Sequence, residues 1–203
     1  MTEGGLIEFW FDFSSPYAFF AAREVEDIAA KHRARTKWQP FLLGPAFKAT
    51  GMQSLSRTPI RGDYARHDWR RLARRAGIPF AIPPFHPTLS LASARLFYWL
   101  DAGDPAMAVR FARRAFDAYY LEGIDMSQAG LAVPVAAELT GHAPDVLSAG
   151  LADPAIKDTL RRKTEEAIAR GIFGSPFFVV DGEPFWGADR LPMIDDWLAS
   201  GGW

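Results

Sequence analysis

The chain has 203 residues, of which 49% are hydrophobic, 14% aromatic and 23% charged, a composition that supports a packed core and excludes a disordered chain. Lys and Arg number 23 against 24 Asp and Glu, and so neutral a balance provides no overall field for nucleic acid or an anionic membrane. Cysteine is absent, which excludes disulfides, thiolate metal sites and redox chemistry by the protein's own thiols.

The N-terminal stretch carries acids at Glu3, Glu8 and Asp12 and no basic residue before Arg23. A secretory signal opens with positive charge, so none is expected. Apolar runs fall well short of the roughly 20 residues of a membrane helix, and a cytoplasmic protein is expected. Leu6 to Phe13, aromatic and β-branched, reads as a buried strand. Ser14, Ser15 and Pro16 then punctuate the chain: a hydroxyl followed by proline is a helix start. Apolar residues at Phe20, Val25, Ile28 and Ala29 carry that helix over 17–32. Thr36 to Leu43 reads as a second strand ended by Gly44-Pro45. Strand, helix, strand implies a parallel pair with a right-handed crossover.

From about Phe47 to Arg170 nearly every segment has helical periodicity. Helix starts are expected at Asp63, Asp104-Pro105, Asp125 or Ser127, and Asp153-Pro154, each acid or hydroxyl acting as a cap. Pro134 should kink its helix or begin a new one. Strand character returns at 176–181, Asp181-Gly182 signals a hairpin, and Pro184 to Trp186 forms the returning strand. A final helix follows, with Leu191, Ile194, Trp197 and Leu198 on one face. The fold class is therefore α/β, a βαβ…ββα domain (1–45 plus 171–203) interrupted by an all-helical domain (46–170).

Three turns could carry chemistry. Ser15 reads as an N-cap, but a helix start after the first strand also stabilises an anion such as a thiolate. With no cysteine in the chain, such a thiolate would have to arrive on a bound cofactor, with Ser15 donating a hydrogen bond to it. Ser175-Pro176 reads either as a rigid turn into a strand or as a cis peptide that leaves the Ser175 backbone to pair with a peptide-like ligand. Gly187-Ala188-Asp189-Arg190 reads as a cap with a surface ion pair, or as a turn that binds a carboxylate and an ammonium group.

The segments FDFSSPYAFFAA (11–22), FLLGPAFKATG (41–51) and GIFGSPFFVVDGEPFWGADRL (171–191) strongly resemble 2-hydroxychromene-2-carboxylate isomerases, relatives of the kappa-class glutathione transferases and DsbA-type oxidoreductases. The likeness spans essentially the whole chain. It implies a thioredoxin-like domain with a helical insertion, glutathione as cofactor, a small aromatic carboxylate as substrate and a homodimer. On this resemblance Ser15 is the catalytic serine and Pro176 the cis-proline. Ser15, Pro16, Tyr17, Arg61, Ser175, Pro176, Ala188, Asp189 and Arg190 bind the cofactor, and Phe47, His86 and Trp186 line the substrate site. The implied reaction is cis-trans isomerisation by reversible thiolate addition. A kappa-like transferase or a non-catalytic thioredoxin-like binding module are the alternatives, and a dithiol oxidase is excluded for want of cysteine.

Met52 and Leu89 stand where relatives often carry Asn, and Arg61 stands for a Lys, which differs in geometry. Arg70, Arg71, Arg74 and Arg75 read as a solvated helix face rather than a nucleic-acid patch. His32, His67, His86 and His142 lack metal-ligand spacing. Trp10, Phe47 and Trp186 are each either core or the wall of an aromatic site.

Overall fold

A computed structural model describes residues 5–203; the first four residues, which carry the start of the N-terminal reading, lie outside the described residues. The first strand, β1 (Leu6–Phe11), pairs in parallel with β2 (Arg35–Pro40) through helix α1 (Pro16–His32). Seven helices then intervene before the next strand: α2 (Leu43–Thr50), α3 (Arg61–Ala76), α4 (Leu91–Asp101), α5 (Pro105–Tyr120), α6 (Ala129–Thr140), α7 (Pro144–Ala152) and α8 (Pro154–Ala169). The chain returns as the hairpin β3 (Phe177–Val180) and β4 (Glu183–Trp186) and ends in α9 (Leu191–Ser200). Sheet order is β2-β1-β3-β4, with both β1–β3 and β3–β4 antiparallel.

Alternation along the strands builds two cores. Ile7, Phe9 and Phe11 of β1 and Phe178 and Val180 of β3 face α1, α9 and the helical region, where Phe9 stacks on Phe178 at 5.2 Å and Phe11 contacts Phe97 and Phe116. Trp10, Phe177 and Val179 point the other way and pack with Phe41, Ala46, Ala167 and Ile172. The mixed sheet with helices on both faces and an all-helical insertion is the thioredoxin-like architecture.

Several local expectations change. The second strand ends at Pro40, not Leu43: the Leu42 and Leu43 amides leave the ladder for Thr164 Oγ1 (3.2 Å) and Asp12 Oδ2 (2.9 Å), and Gly44-Pro45 falls in the first turn of α2. Proline is tolerated there because the N–H it lacks has no helical partner. Asp104 and Asp153 do cap α5 and α8, accepting the Met107 N–H at 3.0 Å and the Ala155 N–H at 2.8 Å. Asp63 lies inside the first turn of α3, which begins at Arg61. Asp125 instead gathers Ser127 and Gln128 into a turn ahead of α6. Pro134 lies inside that helix without ending it; the bond it removes belongs to the Gly130 carbonyl, on an exposed residue that water can serve. Asp181 and Gly182 both take positive φ (50° and 95°), the two-residue hairpin expected.

Candidate functional site

β1 ends at Phe11, and the next residues turn the chain into α1. The Asp12 carbonyl accepts the Ser15 N–H at 2.9 Å, and the Asp12 amide donates to Ser175 Oγ at 2.9 Å. The Ser15 hydroxyl is buried and makes two bonds. It accepts the Ala18 N–H at 3.3 Å as the helix cap, and it donates to the Ser175 carbonyl at 2.7 Å. Pro16, the first helical residue, has no N–H. The Tyr17 amide is then the first-turn donor without a partner among the described residues. This is where a helix stabilises an anion.

The Ser175–Pro176 bond is cis. The expectation that the Ser175 backbone stands free needs correction for its carbonyl, which the Ser15 hydroxyl already holds. The carbonyl keeps a second lone pair for another donor, whereas the Ser15 hydroxyl has a single hydrogen and can donate elsewhere only by leaving that carbonyl. The Pro176 carbonyl in turn accepts the Gly187 N–H at 3.1 Å, which ties the 187–190 turn to the cis bond. Gly187 has φ 114°, and Asp189 Oδ1 lies where a Cβ would have to go, so only glycine fits. Ala188, Asp189 and Arg190 form a short turn before α9. The Asp189 carboxylate is 73% exposed and pairs with Arg190 at 3.4 Å.

Tyr17 faces α3. Its hydroxyl donates to Asp68 Oδ2 at 3.0 Å, and Asp68 also receives Arg71 at 2.8 Å. Burial first, then the Asp68 bond and the charge of Asp189, push the Tyr17 phenol well above its ordinary range. It is a neutral donor and not a base. Arg61, the first residue of α3, is exposed and makes no ion pair among the described residues.

Around this centre the structure sorts the proposed wall residues. Trp186 is 49% exposed and lies edge-on to Phe173 at 4.7 Å, over Gly174, so it is surface wall rather than core. Phe47 is half-buried, one turn beyond the Leu43 amide that Asp12 holds. Leu89 is exposed and directly precedes Ser90, whose hydroxyl accepts the Ser14 N–H at 3.1 Å. Trp10 is fully buried, donates to Glu8 at 2.9 Å and lies under Arg170; it is core.

His86, expected to line the substrate site, is partly buried and held within the chain. Its Nε2 meets Ser56 Oγ at 2.8 Å and its Nδ1 meets the Tyr119 hydroxyl at 3.2 Å, so both ring nitrogens are engaged. Burial, with Arg66 and Arg57 nearby, lowers its pKa to about 4. His86 is a neutral bridge from the 54–58 segment to α5. Among the described residues no cluster of His, Asp and Glu could hold a metal, and no helix is long and apolar enough to cross a membrane.

Two depressions border the site. One of about 580 Å³ runs from Asp189 along α9 to Trp203, and one of about 120 Å³ lies between α2 and the end of α8, reaching Phe173. Neither is centred on Ser15. Sequence reasoning missed Asp12, Ser90 and Asp68, whose partners come from distant segments. The one local hint was an acid set between an apolar strand and a Ser-Ser-Pro turn.

Residues 6–199 match the DSBA-like thioredoxin domain. Glutathione S-transferase kappa 2 of Caenorhabditis elegans is 27% identical over 211 residues, covering 98% of this chain and 94% of that protein. The 2-hydroxychromene-2-carboxylate isomerase of Sphingobium xenophagum is 27% identical over 194 residues, covering 95% and 97%. A solved structure of a 2-hydroxychromene-2-carboxylate isomerase superposes with a TM-score of 0.85 at 27% identity, covering 97% of this chain and 94% of that one. On that match over nearly its whole length, the chain belongs to the family of DSBA-like thioredoxin domains.

Proposed function

We propose that the protein is a glutathione-dependent isomerase of the 2-hydroxychromene-2-carboxylate type. One observation carries the reading. In a chain without cysteine, a serine hydroxyl stands at the start of α1, 2.7 Å from the carbonyl that precedes a cis proline. That is a thiolate-holding place without a thiolate donor of its own. The resemblance to isomerases over nearly the full chain supports the choice of reaction.

The residues present fit glutathione. The Ser175 carbonyl suits a peptide N–H, and the Tyr17 amide and Ser15 hydroxyl suit a thiolate. The exposed Asp189 carboxylate and Arg190 guanidinium suit the ammonium and carboxylate of an amino-acid end. Bound there, glutathione supplies a thiolate that adds reversibly to a conjugated double bond, which can rotate while it is single. Ser15 favours the charged sulfur by hydrogen bonding, and the α1 N-terminus does so by its dipole. Arg61 provides a free cation for a carboxylate of substrate or cofactor, and Trp186, Phe47 and Leu89 offer apolar surface to an aromatic body. A homodimer in the cytoplasm belongs to the same proposal, with light scattering as its check.

The test incubates the protein with glutathione and a cis-configured conjugated 2-oxo acid bearing an aryl ring, followed by mass spectrometry. Isomerisation gives a product of unchanged mass that separates from the substrate on chromatography, and it returns the glutathione. A stable adduct would make the protein a kappa-like transferase instead. Absence of any heat on titrating glutathione would make it a binding module.

A further inference from the structure

Asp12 is bonded more widely than any other side chain around Ser15. Its Oδ1 accepts the Ser14 N–H and the Ser14 hydroxyl, both at 2.8 Å, together with the Ser90 hydroxyl; its Oδ2 accepts the Leu43 N–H at 2.9 Å. Its backbone takes Ser15 and Ser175, as described above. One buried carboxylate thus joins the lead-in to α1, the first turn of α2 and the start of α4, while the amide of the same residue reaches the cis-proline loop. No cation lies within ion-pair distance of it among the described residues, and it is 4% exposed.

Tyr119 and Tyr120 of α5 are pushed up by burial, Tyr119 to about 12, and stay neutral. Tyr17 is likewise neutral. On α2 and α4 the following cations, Lys48 and Arg95, stand five residues beyond the Leu43 and Ser90 contacts. Asp189 and Arg190 lie past the cis proline and pair with each other.

We propose that Asp12 is a positioning residue that fixes the Ser15 hydroxyl against the helical insertion and, through its charge, keeps a thiolate beside Ser15 from becoming too stable. The second part matters because nucleophilicity falls as a thiol's pKa falls, so the most effective thiol titrates near ambient pH. Ser15 and the helix dipole both pull the pKa down, and Asp12 pushes it back. The proposal rests on the glutathione reading given above.

The experiment is an ultraviolet titration of the thiolate in the glutathione complex of wild type, Asp12→Asn and Ser90→Ala, with amide exchange followed at Ser14 and Leu43. Asp12→Asn should lower the bound thiol's pKa, because it removes a negative charge from beside the thiolate. It should also release the Leu43 and Ser14 amides to faster exchange. Ser90→Ala keeps the charge and removes a donor that compensates it, so it should move the pKa the opposite way, upward. That variant preserves the test if Asp12→Asn does not fold. A wild type that binds glutathione, with variants that leave its thiol unshifted or shift it in the same direction, overturns the Asp12 proposal and spares the isomerase reading. A wild type that binds no glutathione overturns both.

Discussion

Ser15 makes two hydrogen bonds, and only one of them is needed for a helix cap. Ser15→Ala should therefore cost about 2–4 kcal/mol, the sum of a lost cap and an orphaned carbonyl, and denaturant melts should show a folded protein. The same change should raise the pKa of a bound thiol, because a donor to its charged form is gone; an unmoved titration would reduce Ser15 to a cap. His86 supports a pH prediction of its own. Its pKa is lowered to about 4 in the fold, against about 6.5 unfolded, so the unfolded chain binds the extra proton between those values. Stability is then fully present above pH 6.5 and is lost as pH falls toward 4. About 2 kcal/mol of the stability at pH 7 should be missing at pH 5 through this residue. Urea melts of wild type and His86→Gln at both pH values test it, since the variant should lose that share of the slope. The helix cap at Ser15 and the turn at Ser175-Pro176 were legible in the sequence because cap and turn chemistry act within a few residues. The environment of His86 was not, because Ser56 and Tyr119 come from segments 30 and 33 residues away.

At the scale of elements, local signals worked where a single side chain sets a boundary. Asp104-Pro105 and Asp153-Pro154 open helices because carboxylate and ring both act on the first turn. They failed where a tertiary partner takes the backbone. Thr164 and Asp12 draw Leu42 and Leu43 out of strand register, and nothing within 41–45 announces it. The loop into β3 offers a test of the same kind. Gly174 has no Cβ because the Trp186 indole occupies its place. Gly174→Ala should therefore turn Trp186 outward while costing little stability, since that indole is already half exposed. The expected sign is a red shift in tryptophan emission, absent when the same change is made in a Trp186→Phe background. Emission that stays put would mean the backbone, not the indole, gives way.

For the whole molecule, the split of strand-rich ends and helical middle was legible because periodicity changes from 2 to 3.6 and back. How the ends close was not: β1 pairs with a strand some 170 residues later. The helical insertion is joined to the sheet through Tyr17–Asp68, Arg23–Asp117 and the Tyr98 hydroxyl on the Pro40 carbonyl. The candidate site uses that junction, since Ser15 belongs to the sheet domain while Leu89 and Arg61 belong to the insertion. A ligand bound across it should stabilise the chain by mass action, by about 2.7 kcal/mol at a hundred times its Kd. The ionisable sulfur makes the prediction specific. If the site lowers the thiol's pKa below its free value of about 8.5, binding releases a proton. Affinity for glutathione must then rise with pH between the bound and free values, about tenfold for each unit of depression. S-methylglutathione has the same backbone and charges but no thiol proton, so its affinity should stay flat over that range. Calorimetry of both ligands from pH 6 to 9 decides the matter: parallel profiles would show that the sulfur does not bind as a thiolate, whatever else the peptide contacts.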